Sequence, residues 1–330
     1  MSYPLVRECI APGVYFSAIT DKKFKHNRMS VNLIAKLDRQ KVTGRAVVPF
    51  ILRQGSKNCP DFTQLNKRLC DLYGASLGAG VDKFGEYQII ALGMIGVDSR
   101  FTLQGEDMVR ACAGLLAEIL LEPNITDGKF DEKNTELEKQ NLLDTIQAEI
   151  NDKRTYAMGK LLKTMCRSDS FGLPRLGEPE DVAAIDPAGL LTHYRKILRE
   201  SRIEIFYVGS APAEAVAEYI SPLVSRLGGR EGLLPPQTPF HPCPGQDVTE
   251  TMEVSQGKLC MGFVTPIVNR DKEFPAMQVF NTVFGAGMTS KLFLNVREAM
   301  SLCYSIGSSY YGAKGILTVG AGIDFDKEQL

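Results

Sequence analysis

The chain has 330 residues, 44% of them hydrophobic, and a net charge of −1; at roughly 100–200 residues per domain this suggests two domains with buried cores. Lys and Arg gather into no stripe, which excludes nucleic-acid binding as the main task; the lysines of "DKKFKHNR" read as a solvated turn. No apolar run approaches the ~18–20 residues of a membrane span, and "MSYPLVRECIAPGVYF" shows no charged leader followed by an apolar core.

In chain order, "MSVNLIAKL" alternates, with Val31, Leu33, Ala35 and Leu37 on one face and Asn32, Ile34 and Lys36 on the other, the pattern of a half-buried strand. An apolar helix is expected at about 44–54. It contains Pro49, which deletes a backbone donor at a cost of roughly 3 kcal/mol in a regular helix. "PDFTQLNKRLCDLYGAS" sets Phe62, Leu65, Leu69 and Leu72 at helical spacing behind an Asp61 cap. "SLGAGVDKFGEYQIIALGMIGV" returns to period two, a hairpin turning near Lys83–Gly85. Helices are expected at 105–121, at 129–152 and through "RTYAMGKLLKTMC", then a strand at "RIEIFYVGS" and a helix at 212–226. Residues 228–247, with Pro235–Pro236, Pro239, Pro242 and Pro244, break every periodicity and read as a stiff inter-domain linker.

Beyond the linker the pattern of the first half returns. "GKLCMGFVTP" matches the first strand, "EFPAMQVFNTVFGAG" the apolar helix, "TSKLFLNVREAM" the second helix and "SLCYSIGSSYYGAKGILTVGAGID" the hairpin. Tyr73 and Tyr304 fall at matching points in this alignment, an offset of roughly 230 residues, which is a duplicated domain rather than a solenoid period. The expected class is α+β: tandem duplicated domains, each an antiparallel sheet with helices packed on one side. The expected boundaries are 1–227 for the first domain, 228–247 for the linker and 248–330 for a second, incomplete copy that stops at "DFDKEQL".

The chemistry is sparse. His26, His193 and His241 stand in a basic turn, a helix and the linker, none with a second ligand at metal spacing. The eight cysteines form no C-x-x-C pair and several sit in apolar patterns, as in a reduced, cytoplasmic protein. Glu132, Glu136 and Glu138 interleave with Lys133 and Lys139 like a solvated helix face. "GAGMTSKLF" lacks phosphate-loop spacing. In "NVREAMSLCYSIGSSYYG", Arg297 and Tyr304 are seven apart at a helix-to-strand junction. A guanidinium and a phenol there could together hold a peptide carbonyl or an oxyanion, or be a surface ion pair and a strand tyrosine.

The paired α+β halves, the "NTVFGAGMTSKLFLNVREAMSLCYSIGSSY" block and the block ending "LYGASLGAGVDKFGEYQ" together resemble the insulinase (pitrilysin) family of zinc peptidases, most closely its YmfF-type bacterial branch. The most specific motif is R-E-x-x-x-L-x-Y, here Arg297, Glu298, Leu302 and Tyr304. The resemblance implies that the family's H-x-x-E-H zinc motif would lie on the first apolar helix. Counting back from Gly55–Ser56, those positions hold Ala46, Val47, Val48, Pro49 and Phe50, so both histidines and the glutamate base are missing. Glu138 best matches the third ligand, but one carboxylate holds no catalytic zinc. Water activation needs a metal and a base, so the resemblance implies a zinc-less subunit with no cofactor of its own. Arg297 and Tyr304 would then bind the peptide substrate, and an H-x-x-E-H-bearing partner would bring the zinc. The alternative it implies is a structural scaffold subunit with no proteolytic role.

Overall fold

A computed structural model describes residues 5–227, 230, 234, 235, 240 and 244–325. Its elements are β1 (Leu5–Ala11), β2 (Val14–Thr20), β3 (His26–Lys36), α1 (Val42–Leu52), α2 (Phe62–Asp71), β4 (Ser76–Phe84), β5 (Tyr87–Val97), α3 (Met108–Leu121), β6 (Ile125–Thr126), β7 (Lys129–Phe130), α4 (Glu132–Asn151) and α5 (Lys153–Met165). There follow α6 (Pro179–Val182), α7 (Pro187–Glu200), β8 (Arg202–Gly209), α8 (Ala213–Leu227), β9 (Gly257–Val264), α9 (Phe274–Phe284), a π-helical turn (Phe293–Ala299), β10 (Cys303–Tyr311) and β11 (Ile316–Ile323). No helix among the described residues is long and apolar enough to cross a membrane.

The chain divides into two compact units, Met1–Leu143 with Arg175–Pro235, and Asp144–Pro174 with Pro236–Leu330. The first is built on a six-stranded sheet of order β1-β2-β8-β3-β5-β4, antiparallel except for the parallel β2–β8 pair. Alternation along the strands selects the covered face. Met29, Val31, Leu33 and Ala35 of β3 are buried, as are Ile90, Leu92 and Met94 of β5 and Ile203, Ile205 and Tyr207 of β8. Residues between them are half-buried, so the helices α1, α3, α7 and α8 cover one side. Asp61 caps α2 as its sequence predicts, its side chain accepting from the Gln64 amide. The hairpin turns at Gly85, whose φ of 56° lies in the left-handed region that glycine enters without strain.

The second unit holds a three-stranded antiparallel sheet, β10-β11-β9. Helix α5 lies against it, Met165 reaching to Gly262 and Met158 to Gly320, where a Cβ would stand 2.6 Å and 3.3 Å from the methionine atoms. Cys166, Phe171, Phe240 and Ile316 form one buried cluster. Beside it the fully buried Lys314 ammonium lies 2.7 Å from Asp169. A buried ammonium needs such a counter-charge to offset its desolvation.

The fold is thus α+β, and β9-α9-π turn-β10-β11 repeats the succession and the strand order of β3-α1-α2-β4-β5. Four details differ from the sequence reading. β1 and β2 add two strands that the periodicity did not mark. Residues 144–174 fall with the second unit, because the apolar side of α5 is spent on β9 and β11. "TSKLFLNVREAM" winds as a π-helical turn over Phe293–Ala299 rather than as a regular helix. Tyr73 and Tyr304 are not at matching points: Tyr73 stands in the turn before β4 with φ 57°, while Tyr304 is inside β10.

Most of the expected linker, including His241, lies outside the described residues. Three described positions in it are anchored, Pro235 by accepting a hydrogen bond from the Tyr87 hydroxyl. Arg230 donates to the carbonyls of Ser201 (3.0 Å) and Leu198 in the first unit, and Phe240 is buried in the second.

Candidate functional site

Helix α1 buries ten of its eleven residues, with Ala46, Val47 and Val48 at 0% exposure and Pro49 buried. Fully burying a side chain the size of valine stabilises by roughly 1.5–3 kcal/mol, so Val47 and Val48 together offset the roughly 3 kcal/mol that Pro49 costs the helix. Phe50 is half-buried. None of the five side chains from Ala46 to Phe50 carries a metal donor. Glu138 on α4 is buried, and its two carboxylate oxygens are taken by amides: Gln54 donates to Oε1 and Asn141, at 3.2 Å, to Oε2. At the same end of α1 the fully buried Ser56 hydroxyl donates to Glu118. The Glu138 carboxylate therefore ties α4 to the end of α1. The residues present do not fit zinc, and among the described residues no group of three His, Cys, Asp or Glu side chains could hold a metal ion.

At the other end of α1, a cavity of about 520 Å³ is bordered by Arg39, Thr43, Asp181 and His193, with an Arg39–Asp181 ion pair at its side. Burial, then Arg45, Lys196 and Lys41, pulls the His193 imidazole below its ordinary value. The ring packs so closely on α1 that a Cβ at Gly44 would lie 2.4 Å from it. Arg45 is buried, its guanidinium donating to Lys36 O at 3.0 Å and lying 3.5 Å from Glu200. These are the contacts of a helix packed into a core.

Arg297 and Tyr304 stand on irregular backbone. Arg297 lies in the π-helical turn, its guanidinium 4.6 Å above the Phe293 ring and 3.2 Å from Glu298. Ser301 follows with φ 53°, left-handed for a residue with a Cβ. Tyr304 then falls where the β10–β11 register slips between Cys303 and Ser305, so a bulge turns its side chain; it is 60% exposed and its hydroxyl donates to Asp324 at 2.9 Å. The structure places both residues on one short segment of the second unit, each engaged by an acid, Glu298 for one and Asp324 for the other. Asp324 was not legible beforehand, since it meets Tyr304 only through the pairing of β10 with β11. π-Turns, bulges and left-handed non-glycine residues concentrate at functional sites, and here all three lie between Phe293 and Ser305.

A family profile described as "Peptidase M16 inactive domain" matches residues 184–329. The chain is 30% identical to the "Probable inactive metalloprotease YmfF" of Bacillus subtilis over 312 residues, 94% of this chain and 73% of that protein. The chain belongs to the M16 peptidase family. This is the insulinase or pitrilysin family of the motif reading, and the M16 profile that matches is the inactive one. A crystal structure of a conserved protein from Enterococcus faecalis V583 superposes with a TM-score of 0.83 at 30% identity, covering 97% of this chain and 75% of that one. The M16 inactive domain from Pseudomonas fluorescens superposes at 0.76 with 14% identity, covering 97% and 74%, a likeness of fold. The donor-free side chains from Ala46 to Phe50 agree with the description of both the profile and YmfF as inactive.

Proposed function

We propose that this chain is the zinc-less subunit of a two-component M16 peptidase. A partner carrying H-x-x-E-H supplies the metal and the general base. Arg297 and Tyr304 of this chain hold the peptide and stabilise the oxyanion that forms on its carbonyl. One observation carries the reading: α1 is repacked as core, while the Arg297–Tyr304 segment keeps a costly backbone that a mere surface stretch would have no reason to hold. The domains would be the two peptidase-like copies joined through 228–247, acting in the cytoplasm.

A scaffold role is favoured by a different observation, the engagement of both side chains by Glu298 and Asp324. For the subunit reading, Tyr304 must exchange Asp324 for substrate when the pair assembles.

The test is isolation of the protein from its own cells under native conditions. An H-x-x-E-H protein should come with it, and the pair should cleave peptides that neither subunit cleaves alone. An assembly without that partner and without cleavage would return the scaffold.

A further inference from the structure

The cavity of about 520 Å³ at the amino-terminal end of α1 belongs wholly to the first unit, whereas Arg297 and Tyr304 belong to the second. Its volume falls in the range of small-molecule sites, about 300–1,000 Å³. Ala184 and Ile185, between α6 and α7, give it an apolar wall, and Arg39, Gln40, Asp181 and His193 bring polar groups to it.

What those polar groups still have to offer is donors. Asp181, the carboxylate that borders the cavity, is spent: it pairs with Arg39 and accepts from the Thr43 hydroxyl at 3.2 Å. The Thr43 oxygen in turn accepts from the Glu178 amide at 3.3 Å. Arg39 uses one nitrogen on Asp181, which leaves its other guanidinium N–H groups over. The side chains of Gln40 and His193 have no hydrogen-bond partner among the described residues. The α7 amino terminus adds no donor at Gly189, whose amide already donates to Asp186.

The surroundings favour a negative charge. The charges that act on the His193 imidazole are the cations Arg45, Lys196 and Lys41. The acids next to them are engaged, Glu200 at 3.2 Å from Lys41 and 3.5 Å from Arg45, and Asp38 at 3.9 Å from Lys41. Glu178 and Glu180 act on Arg39. Free donors beside an apolar wall, among cations, call for an anion with an apolar body.

We propose that this cavity binds a small organic carboxylate, its charged end held by Arg39, Gln40 and His193 and its apolar body laid against Ala184 and Ile185. A carboxylate suits it better than a phosphate, because a dianion would bring its second charge up against Asp181. The bound anion favours the imidazolium form of His193, so binding takes up a proton and tightens as the pH falls through the histidine range.

The test titrates the purified chain with benzoate, with benzamide as its uncharged counterpart and with inorganic phosphate, following the histidine ring signals by NMR. The signal missing from His193→Gln is that of His193. Benzoate should saturate the chain below about 10 mM, shift that signal and raise its titration midpoint. Benzamide and phosphate should bind at least roughly tenfold more weakly, about the loss of one hydrogen bond to a charged group. Arg39→Ala should weaken benzoate by at least roughly as much, and Gln40→Ala should weaken it less. Both side chains are exposed, so neither variant should lower the melting temperature appreciably. Failure to saturate by about 10 mM overturns the proposal. So does benzoate binding as tight in Arg39→Ala as in the parent, or no tighter than that of benzamide or phosphate, and so does a His193 signal that benzoate leaves in place.

Discussion

Helix α1 buries ten of eleven residues, whereas α9, eleven residues long and at the corresponding place in the second unit, buries only Met277 and Asn281. The two sequences, "VTGRAVVPFIL" and "FPAMQVFNTVF", are similarly apolar. The difference comes from α7, which covers α1 and has no counterpart over α9 among the described residues. Apolar content says which side chains leave water at a gain; the neighbouring segment decides whether they do. A second contrast stands beside it. The packed helix carries no metal donor from Ala46 to Phe50, while the irregular segment that follows α9 holds the polar pair Arg297 and Tyr304.

The harshest way to break this contrast is to put the motif back. Ala46→His, Pro49→Glu and Phe50→His together place polar and charged groups without partners among fully buried neighbours, at several kcal/mol. The triple variant should unfold at a much lower temperature, remain inactive and bind no zinc. A stable variant that cleaves peptides would show that a working site survives around α1.

Next in size are Arg297→Ala and Tyr304→Phe, measured on the reconstituted pair. Loss of one oxyanion donor typically costs about 2.7–4 kcal/mol, or roughly 100–1000-fold in turnover. Both variants should assemble and melt normally, since Arg297 and Tyr304 are substantially exposed. Unchanged cleavage by both would favour the scaffold.

Glu138→Ala should cost about 1–3 kcal/mol in denaturant unfolding, because it takes the acceptor from the half-buried Gln54 amide. Metal analysis of the parent after dialysis should find no stoichiometric zinc. One tightly held ion per chain, lost in this variant, would contradict the packed-helix account.

A smaller effect should appear with pH. The His193 imidazole titrates below its ordinary 6.5, so the unfolded chain takes up this proton at higher pH than the folded one. Its contribution is intact above about pH 6.5 and falls as the pH drops through the unfolded value towards the folded one. His193→Gln should flatten that part of the stability–pH curve. An unchanged slope would mean that the ring is solvated.

The smallest expected effect tests the opening contrast directly. Val279→Thr on α9 should change stability by less than about 0.5 kcal/mol, as exposed substitutions do. Val47→Thr, which buries a hydroxyl, should cost about 1–3 kcal/mol. Equal effects would mean that α9 is as well covered as α1.

Much of this was legible in the residues. The alternation of "MSVNLIAKL" placed Val31, Leu33 and Ala35 on the covered face, where they are buried. Asp61 announced the start of α2. Ala46, Val47, Val48 and Pro49 announced an apolar helix, and they are buried in one. Less was legible where the chain leaves regular geometry. The π-turn under Arg297, the left-handed Ser301 and the bulge at Tyr304 leave no periodic mark, and an alignment by pattern put Tyr304 opposite Tyr73.

The sequence by itself determined the α+β class, the Asp61 cap and the apolar character of Ala46–Phe50, because these depend on side-chain identity and on spacings of two to four residues. The tertiary structure decided which apolar helix is core, because α7 reaches α1 from about 150 residues further along the chain. It also decided that α5 serves the second sheet and that Asp324 meets Tyr304. Such meetings are set by sheet pairing and by the burial available at a distance, and neither is recorded in the local order of residues.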